Sequence, residues 1–324
     1  MKEILEADCF FQLQEKFSRI PFTQSQGWYN YMKGRGKEVI FYVDNDQDPK
    51  IGCWGTLQKI PFSKRKILLI GAETYSPDLT EMEFKSFYSE LATTHDAIEV
   101  NSSNPYDIEF ETGIRRAGFK RPIGIFDCPL TIEIDLSQKV NVNKNWKRNV
   151  KKGTRAGLNF EEITSIQPSE IKAIVSLFKE LKELKGLHFE LEEISLSRLL
   201  KSEEIRTFIV YDQANNPISA SINHVNHPYC TNIFSVNSHT SRECGAAFFI
   251  LDSIFAKLKS EKFLYFDFAR IPPSDHATDS VYVFKKSSRG KKLQYNGEWT
   301  YYKNEKLELA VFLYKCFKTK KQRY

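Results

Sequence analysis

Short apolar and alternating runs, separated by polar turns, occur in two groups of three along the chain. The first group lies at 38–43, 51–57 and 67–70, and the second at 206–211, 218–225 and 230–236. Runs of this length with period-two alternation, bounded by Asn, Asp, Pro and Gly, are typical of β-strands. The pattern therefore predicts two antiparallel three-stranded meanders, one in each half of the chain.

Helical periodicity follows each meander in the same order. A helix at 80–92, a strand at 97–100 and a helix at 108–117 follow the first, and a helix at 245–258, a strand at 263–268 and a short helix at 281–286 follow the second. Closing strands are predicted at the T-I-E-I-D-L run and at 292–295 and 299–302, and a last helix at 305–317. The repeated order predicts a duplicated mixed α/β unit with domains at 1–135 and 136–324, although other mixed folds share such an order.

Four further helices are predicted outside this repeat. Thr23 or Ser25 caps a helix that carries Trp28, a basic helix covers 143–156, and an amphipathic helix runs from Pro168 to Lys185 before a shorter one at 190–200. The chain thus contains enough predicted structure for two domains that each bury a core.

Composition excludes several classes of protein. The 324 residues are 41% hydrophobic and 27% charged, which is ordinary for a globular protein. Neither a secretory leader nor an apolar run long enough to span a bilayer is evident, so a cytoplasmic location is expected. The six cysteines, at 9, 53, 128, 230, 244 and 316, form no C-x-x-C pair, so neither a metal site nor a disulfide framework is expected. The net charge of +6 suits polyanionic ligands.

An R-x-x-G-x-A segment stands between the last strand of the second meander and the next helix. Small residues at a helix start let backbone N–H groups approach a phosphate, and the helix dipole adds positive potential there. This predicts a pyrophosphate-type turn at 242–247, made of Arg242, Glu243, Cys244, Gly245, Ala246 and Ala247. The alternative interpretation is a glycine near a helix start beside a solvated arginine.

The predicted basic helix carries six basic side chains between 144 and 155 and no acidic one. Like charges at three- and four-residue spacing destabilise a helix, so such a stripe favours an anionic partner. The candidate phosphate-binding residues are Arg148, Lys151, Lys152 and Arg155. A solvated basic face is the alternative interpretation.

Three residues are candidates for acid–base or electrostatic catalysis. Lys285 follows an aromatic residue in V-Y-V-F-K-K, and an ammonium group there could stabilise an oxyanion or bind a phosphate. Asp267 shares one face of its strand with Tyr265, a candidate substrate-binding residue, and either takes a proton from an amine or caps nearby backbone. His224 is a candidate base because it lies within a strand of the second meander.

Together these segments resemble known families. R-x-x-G-x-A is similar to the pyrophosphate loop of GNAT acetyltransferases. Three further segments resemble, in order, segments of the FemABX peptidyltransferases: P-F-T-Q-S-Q-G-W at 21–28, W-K-R-N-V-K-K-G-T-R-A-G at 146–157, and the closing Y-F-D-F, F-K and Y-N-G-E-W segments.

The FemABX resemblance implies two tandem GNAT-like domains and transfer of an amino acid from aminoacyl-tRNA to a peptidoglycan precursor. It also implies that Lys285 is functional, that Trp28 belongs to the substrate site, and that the basic segment holds phosphates of a nucleotide- or lipid-linked acceptor. The chain departs from the family in lacking an extended heptad hairpin after residue 185. Phe268-Ala269-Arg270 also stands where glycine is common, and the CoA-type turn is retained.

The leading hypothesis is an N-acyltransferase that moves an acyl group from an acyl-CoA-like donor to an amine, with no tightly bound cofactor. The alternative is a tRNA-dependent aminoacyltransferase that adds an amino acid to a peptidoglycan precursor. For the enzyme in general, the expected partners are a small-molecule or lipid-linked anionic acceptor and tRNA. A second alternative is a non-catalytic binder of nucleic acid or anionic lipid with peripheral membrane contact. It is suggested by the basic helix and by the tail residues Lys315, Lys318, Lys320, Lys321 and Arg323. Donor handling is assigned to the second copy and most acceptor handling to the cleft between copies.

Overall fold

A computed structural model describes residues 1–60, 64–122, 130–186, 189–271 and 280–320. These residues form two compact units. The first takes in the described residues of Met1–Tyr29, Arg35–Leu130 and Leu293–Tyr324, and the second those of Asn30–Gly34 and Thr131–Lys292.

Helices and strands are mixed along the whole described chain. The amino-terminal half contains β1 (Lys2–Ile4), α1 (Ala7–Gln14), α2 (Gln26–Gly34), β2 (Glu38–Val43), β3 (Ile51–Lys59), β4 (Lys66–Ile70), β5 (Thr74–Tyr75), α3 (Glu81–Thr94), β6 (Ala97–Pro105) and α4 (Ile108–Arg116). The carboxyl-terminal half contains β7 (Leu130–Asp135), α5 (Lys144–Arg155), β8 (Asn159–Ile163), α6 (Pro168–Lys185), α7 (Glu193–Leu200), β9 (Ile205–Tyr211), β10 (Pro217–Asn226), β11 (Tyr229–Asn237), α8 (His239–Cys244), α9 (Ala246–Ser260), β12 (Tyr265–Asp267), α10 (Ser280–Lys286), β13 (Lys291–Tyr302) and α11 (Glu305–Lys320).

The sheet of the first unit has the strand order β1-β2-β3-β4-β6-β13, with β5 paired to β3. Strands β2, β3 and β4 form the predicted meander, whereas β4 and β6 are parallel. The parallel pair follows from the crossover through α3, which Thr80 starts by accepting the backbone N–H of Glu83. Helix α3 buries Phe84, Phe87 and Tyr88 against this sheet.

The sheet of the second unit repeats this plan in the order β7-β12-β11-β10-β9-β8. Strands β9, β10 and β11 are antiparallel neighbours, and β11 and β12 are parallel because α8 and α9 connect them. An aromatic cluster fills one side of this unit, where Trp146 stacks on Phe255 and Phe284. The mixed α/β class predicted from the sequence is confirmed.

The closing strands of the two units are exchanged relative to the predicted division at residue 135. Strand β7, predicted within the first domain, pairs with β12 of the second unit. Strand β13, predicted within the second domain, pairs with β6, and Trp299 enters the first unit's core. The predicted domains 1–135 and 136–324 therefore differ from the compact units, because these pairings join strands that are distant in sequence.

Most predicted elements lie within a few residues of their observed bounds. Ser25, one of the two predicted caps, accepts the backbone N–H of Trp28 at 3.1 Å. Helix α1 was not predicted, and the two predicted strands near the end form the single strand β13. Cys128 lies outside the described residues. None of the described helices is long and apolar enough to cross a membrane.

Candidate functional site

The segment 242–247 is helical on both sides of its glycine, whereas the sequence predicts a turn that leads into a single helix. Ser238 accepts the backbone N–H of Ser241 at 3.1 Å and starts α8, which contains Arg242, Glu243 and Cys244. Gly245 has a φ of +80°, and its backbone N–H donates to Ser241. Ala246 and Ala247 then begin α9. The glycine therefore joins two helices rather than lining an open loop.

Gly245 is required by a close approach between helices. A Cβ atom at this position would lie 2.6 Å from the backbone oxygen of Asn149 on α5, and one at Gly153 would lie 2.9 Å from Cβ of Phe249. Such distances leave no room for a side chain, so the two glycines let α5 lie directly on α8 and α9. The structure thus brings the predicted basic helix and the predicted phosphate segment together.

Helix α5 presents all of its basic side chains to solvent. Asn143 caps it by accepting the backbone N–H of Trp146 at 2.8 Å, and the Trp146 side chain anchors it in the core. The exposed cations include the predicted set and two others: Lys144, Lys147, Arg148, Lys151, Lys152 and Arg155. Within the described part of the chain none of these six forms an ion pair. With the exposed Arg242 on the adjoining α8, they make a surface suited to phosphates.

Strand β11 separates from its parallel neighbour close to this surface. The β11–β12 pairing covers only Tyr229–Thr231 and Tyr265–Asp267, whereas β11 continues to Asn237. Ile233 forms a bulge, because Phe234 pairs with Ile222 and Asn232 with the next residue, Asn223. Beyond Thr231 no described strand pairs with the edge of β11 that faces β12. Bulges and diverging strands of this kind leave backbone groups for a ligand and are frequent beside active sites.

A buried polar cluster adjoins the bulge and was not predicted from the sequence. The side-chain amide of Asn232 donates to the hydroxyl of Ser221 at 3.0 Å and to the side-chain oxygen of Asn223 at 3.1 Å. Ser235 donates to Asn232 at 2.9 Å. The available signal was the alternation of Ser and Asn within the otherwise apolar I-S-A-S-I-N run of β10. Buried polar groups need partners, and this network satisfies them while fixing the bulge.

Asp267 lies in one row with His224, and Thr231 separates the two. The register pairs His224 with Thr231 and Thr231 with Asp267, so two strand spacings, about 9.5 Å, separate the outer residues. Asp267 accepts a hydrogen bond from the Thr131 hydroxyl at 2.5 Å and one from the backbone N–H of Ala269 at 2.7 Å. These bonds hold the carboxylate at the end of β12.

His224 is a poor candidate for the general base. Its side chain is buried, and burial lowers the pKa of the imidazole to about 3. A base with so low a pKa is neutral at physiological pH but takes up a proton only weakly. Its position within the sheet is that of a neutral core histidine.

Lys285 points inward from α10 to the carboxyl end of β12. Its ammonium group donates to the backbone oxygen of Phe268 at 2.6 Å and lies 5.9 Å from the centre of that ring. Burial lowers the pKa of Lys285 to about 8, an effect that the nearby Asp267 opposes. The next residue, Lys286, is exposed. Stacking of Phe284 on Trp146 sets this orientation of the helix.

The other predicted substrate-binding residues take two different places. Tyr265 lies two residues before Asp267 on the same face of β12, and its ring stacks on Tyr229 at 5.2 Å. Trp28 belongs to the first unit, where its ring contacts Phe22 edge-on at 5.3 Å. Among the described residues no group of His, Cys, Asp and Glu side chains could hold a metal ion.

The corresponding region of the first unit is built differently. After β4, the first unit buries Glu73 where the second has α8, and this carboxylate accepts hydrogen bonds from Ser102 at 2.7 Å and Asn104 at 2.9 Å. Burial raises the pKa of Glu73. A buried acid in this place disfavours phosphate, so among the described residues the bulge and a cationic surface occur together in the second unit.

Solved structures share this architecture over nearly the whole chain. FemX superposes with a TM-score of 0.74 at 11% identity, covering 96% of this chain and 100% of FemX. The chain has the FemX fold. L-PGS from Bacillus licheniformis matches with a TM-score of 0.65 at 12% identity, covering 94% of this chain and 96% of its own.

A tandem GNAT protein from the clavulanic acid biosynthesis pathway matches with a TM-score of 0.52 at 10% identity, covering 92% of this chain and 93% of its own. No family model and no curated protein matches the sequence. The predicted FemABX-like tandem GNAT architecture is confirmed. At these identities the likeness to FemX establishes the fold, and the chemistry is argued from the site.

Proposed function

We propose that the protein is an N-acyltransferase that moves an acyl or aminoacyl group from a phosphate-bearing carrier to an amine. The observation that carries this proposal is the separation of β11 from β12 at the bulge, between the cationic surface of α5 and α8 and the inward-pointing Lys285. The carrier's phosphates would lie on that surface, and its acyl end would follow the unpaired edge of β11 toward Lys285.

The reaction needs no covalent enzyme intermediate. The acceptor nitrogen attacks the acyl carbon, the bond from that carbon to the carrier's oxygen or sulfur breaks, and the proton lost by the amine balances the one gained by the leaving group. We assign to the Lys285 ammonium the stabilisation of the oxyanion that forms on the acyl oxygen. The negative charge of Asp267 favours the charged form of Lys285, so Asp267 acts on the reaction through Lys285 as a positioning residue.

Two carriers fit this surface, and they differ in the extent of phosphate they present. An acyl-CoA offers a few phosphates, which Arg242 and the end of α5 could bind. A charged tRNA offers a longer row, and the twelve residues of α5 span about 18 Å. The six exposed cations lie along the whole helix, and this extent supports aminoacyl-tRNA as the second candidate donor. As part of the same proposal, the acceptor amine is carried by a lipid-linked or nucleotide-linked molecule, and the protein acts in the cytoplasm.

The donor is tested by transfer of label to an amine and by binding at several salt concentrations. The R148E/K151E variant should weaken donor binding by at least about tenfold and, if the donor is tRNA, should reduce the salt slope by about two. The matched control is K172E/K179E, which reverses two exposed lysines on α6 of the same unit.

Transfer from acetyl-CoA with no tRNA dependence identifies the CoA-type donor, and transfer from charged tRNA identifies the other. Absence of transfer from either carrier, with salt-dependent binding intact, would contradict the enzymatic proposal and favour the non-catalytic binder. Equal losses of binding in the α5 and α6 variants would contradict the assignment of the surface.

A further inference from the structure

Helix α11 exposes large apolar side chains on its outer face. Leu309 is 57% exposed and Leu313 is 46% exposed. The inner face is explained by packing, because Leu307 and Val311 are buried in a small cluster with Ile67. Among the described residues, the two outer leucines belong to no such buried cluster.

The outer leucines form a stripe with a lysine at its amino-terminal end. Lys306, Leu309 and Leu313 follow each other at three- and four-residue spacing, which places them on one side of a helix. Lys306 is exposed, and so is Lys303 just before the helix, which also lies 3.4 Å from Asp96. Leucines and lysines therefore face solvent together.

The segment that contains α11 is strongly basic. Residues 303–324 include seven basic residues and two acidic ones. One of the two, Glu308, lies 4.0 Å from Lys120, while Lys303 and Lys315 lie 3.4 Å from Asp96 and 2.6 Å from Glu99. The excess of positive charge therefore rests mainly on Lys306 and on the basic residues from 318 onward. The net positive charge of this segment complements an anionic surface rather than an uncharged apolar one.

We propose that α11 is a membrane-surface contact, with Leu309 and Leu313 inserted among the acyl chains of an anionic lipid bilayer. A helix that combines outward leucines with basic residues lies in the interface plane and binds in proportion to its buried apolar area and to the charge of the lipid. A nucleic acid would use the lysines but leave the leucines in water. A second copy of the chain would bury the leucines but repel the shared positive charge. The inference does not depend on the transferase activity.

Co-sedimentation with lipid vesicles tests the proposal. The protein should bind vesicles of equal parts phosphatidylglycerol and phosphatidylcholine, should bind pure phosphatidylcholine much more weakly, and should be released by salt. The L309E/L313E variant should weaken binding to the anionic vesicles by about tenfold or more, because it removes the inserted groups and adds repulsive charge.

The matched control is L184E/I194E, which changes two exposed apolar residues on α6 and α7, Leu184 at 47% and Ile194 at 68% exposure. It should bind like the wild type, and both variants should keep the wild-type melting temperature because the changed side chains are exposed. Four results would overturn the proposal: no binding to anionic vesicles, equal binding to neutral ones, equal losses in both variants, or a dimer in light scattering that L309E/L313E dissociates.

Discussion

At the scale of single residues, the surroundings of Lys285 alter its chemistry in a way that bears directly on the proposed reaction. Burial lowers the pKa of its ammonium group to about 8, and the backbone oxygen of Phe268 holds it in place. The charged form therefore prevails below that value and is lost as pH rises through it. An oxyanion is stabilised only by the charged form, so the proposed role makes the reaction sensitive to pH above neutrality.

Replacing Lys285 tests this role directly. K285M should reduce kcat by about a hundredfold to a thousandfold, the usual effect of removing one oxyanion donor. In the wild type, kcat should fall as pH rises through about 8. K285R should retain part of the activity and move this fall to higher pH, because a guanidinium group stays charged. The measurement is the pH profile of kcat for the wild type and each variant.

The neighbouring residue supplies the control for this prediction. Lys286 is exposed and carries the same charge, so K286M should leave kcat and its pH profile unchanged. An unaltered pH profile in K285R, or equal losses in K285M and K286M, would refute the assignment of the oxyanion donor.

At the scale of elements, the contact of α5 with α8 and α9 organises the site. Gly245 combines a left-handed backbone with a contact that admits no side chain, so replacing it by alanine adds strain and a steric clash. The matched position is Gly186, which ends α6 with a φ of +62° and has no neighbour within 4 Å. Both changes disturb the backbone to a similar degree, and only the first disturbs the contact between the helices.

G245A should lower the free energy of unfolding by about 1–3 kcal/mol more than G186A, since overpacking adds to the cost of a left-handed alanine. Urea denaturation of the two variants measures the difference. Because α5 carries the cationic surface, G245A should also weaken donor binding, whereas G186A should not. Equal stability losses would contradict a tight helix contact at residue 245.

Elements were predictable where their own sequence determines them. The meanders and the long helices follow from period-two and helical patterns, and the basic helix follows from its charges. Helix α8 is not predicted from the sequence because H-T-S-R-E-C has no apolar face. The polar cluster at Asn232 was missed because Ser and Asn are common in turns and their burial depends on tertiary contacts.

At the scale of the whole molecule, the ends of the two halves are exchanged. Strand β13 completes the first unit's sheet beside β6, and β7 completes the second unit's sheet beside β12. Strand pairing across so many residues leaves no local pattern in the sequence, so the predicted division at residue 135 could not anticipate it. Candidate residues were placed in the correct half wherever a local motif identified them, as for Lys285 and Asp267.

Trp299 tests this exchange, because it belongs to the last strand of the chain but to the core of the first unit. Arg121 stacks on its ring at 3.7 Å, and the indole N–H donates to the backbone oxygen of Asn296 at 3.1 Å. W299A should lower the free energy of unfolding by about 3–5 kcal/mol, the usual effect of truncating a buried tryptophan.

Hydrogen exchange in W299A should accelerate in α3 and β6 and stay unchanged in α9, since the cavity opens among the side chains that α3 and β6 bury. W146A, which truncates a buried tryptophan of the second unit, should give the opposite pattern, with faster exchange in α9. Faster exchange of α9 in W299A, with α3 unaffected, would instead favour the division at residue 135, because β13 would then stabilise the second half.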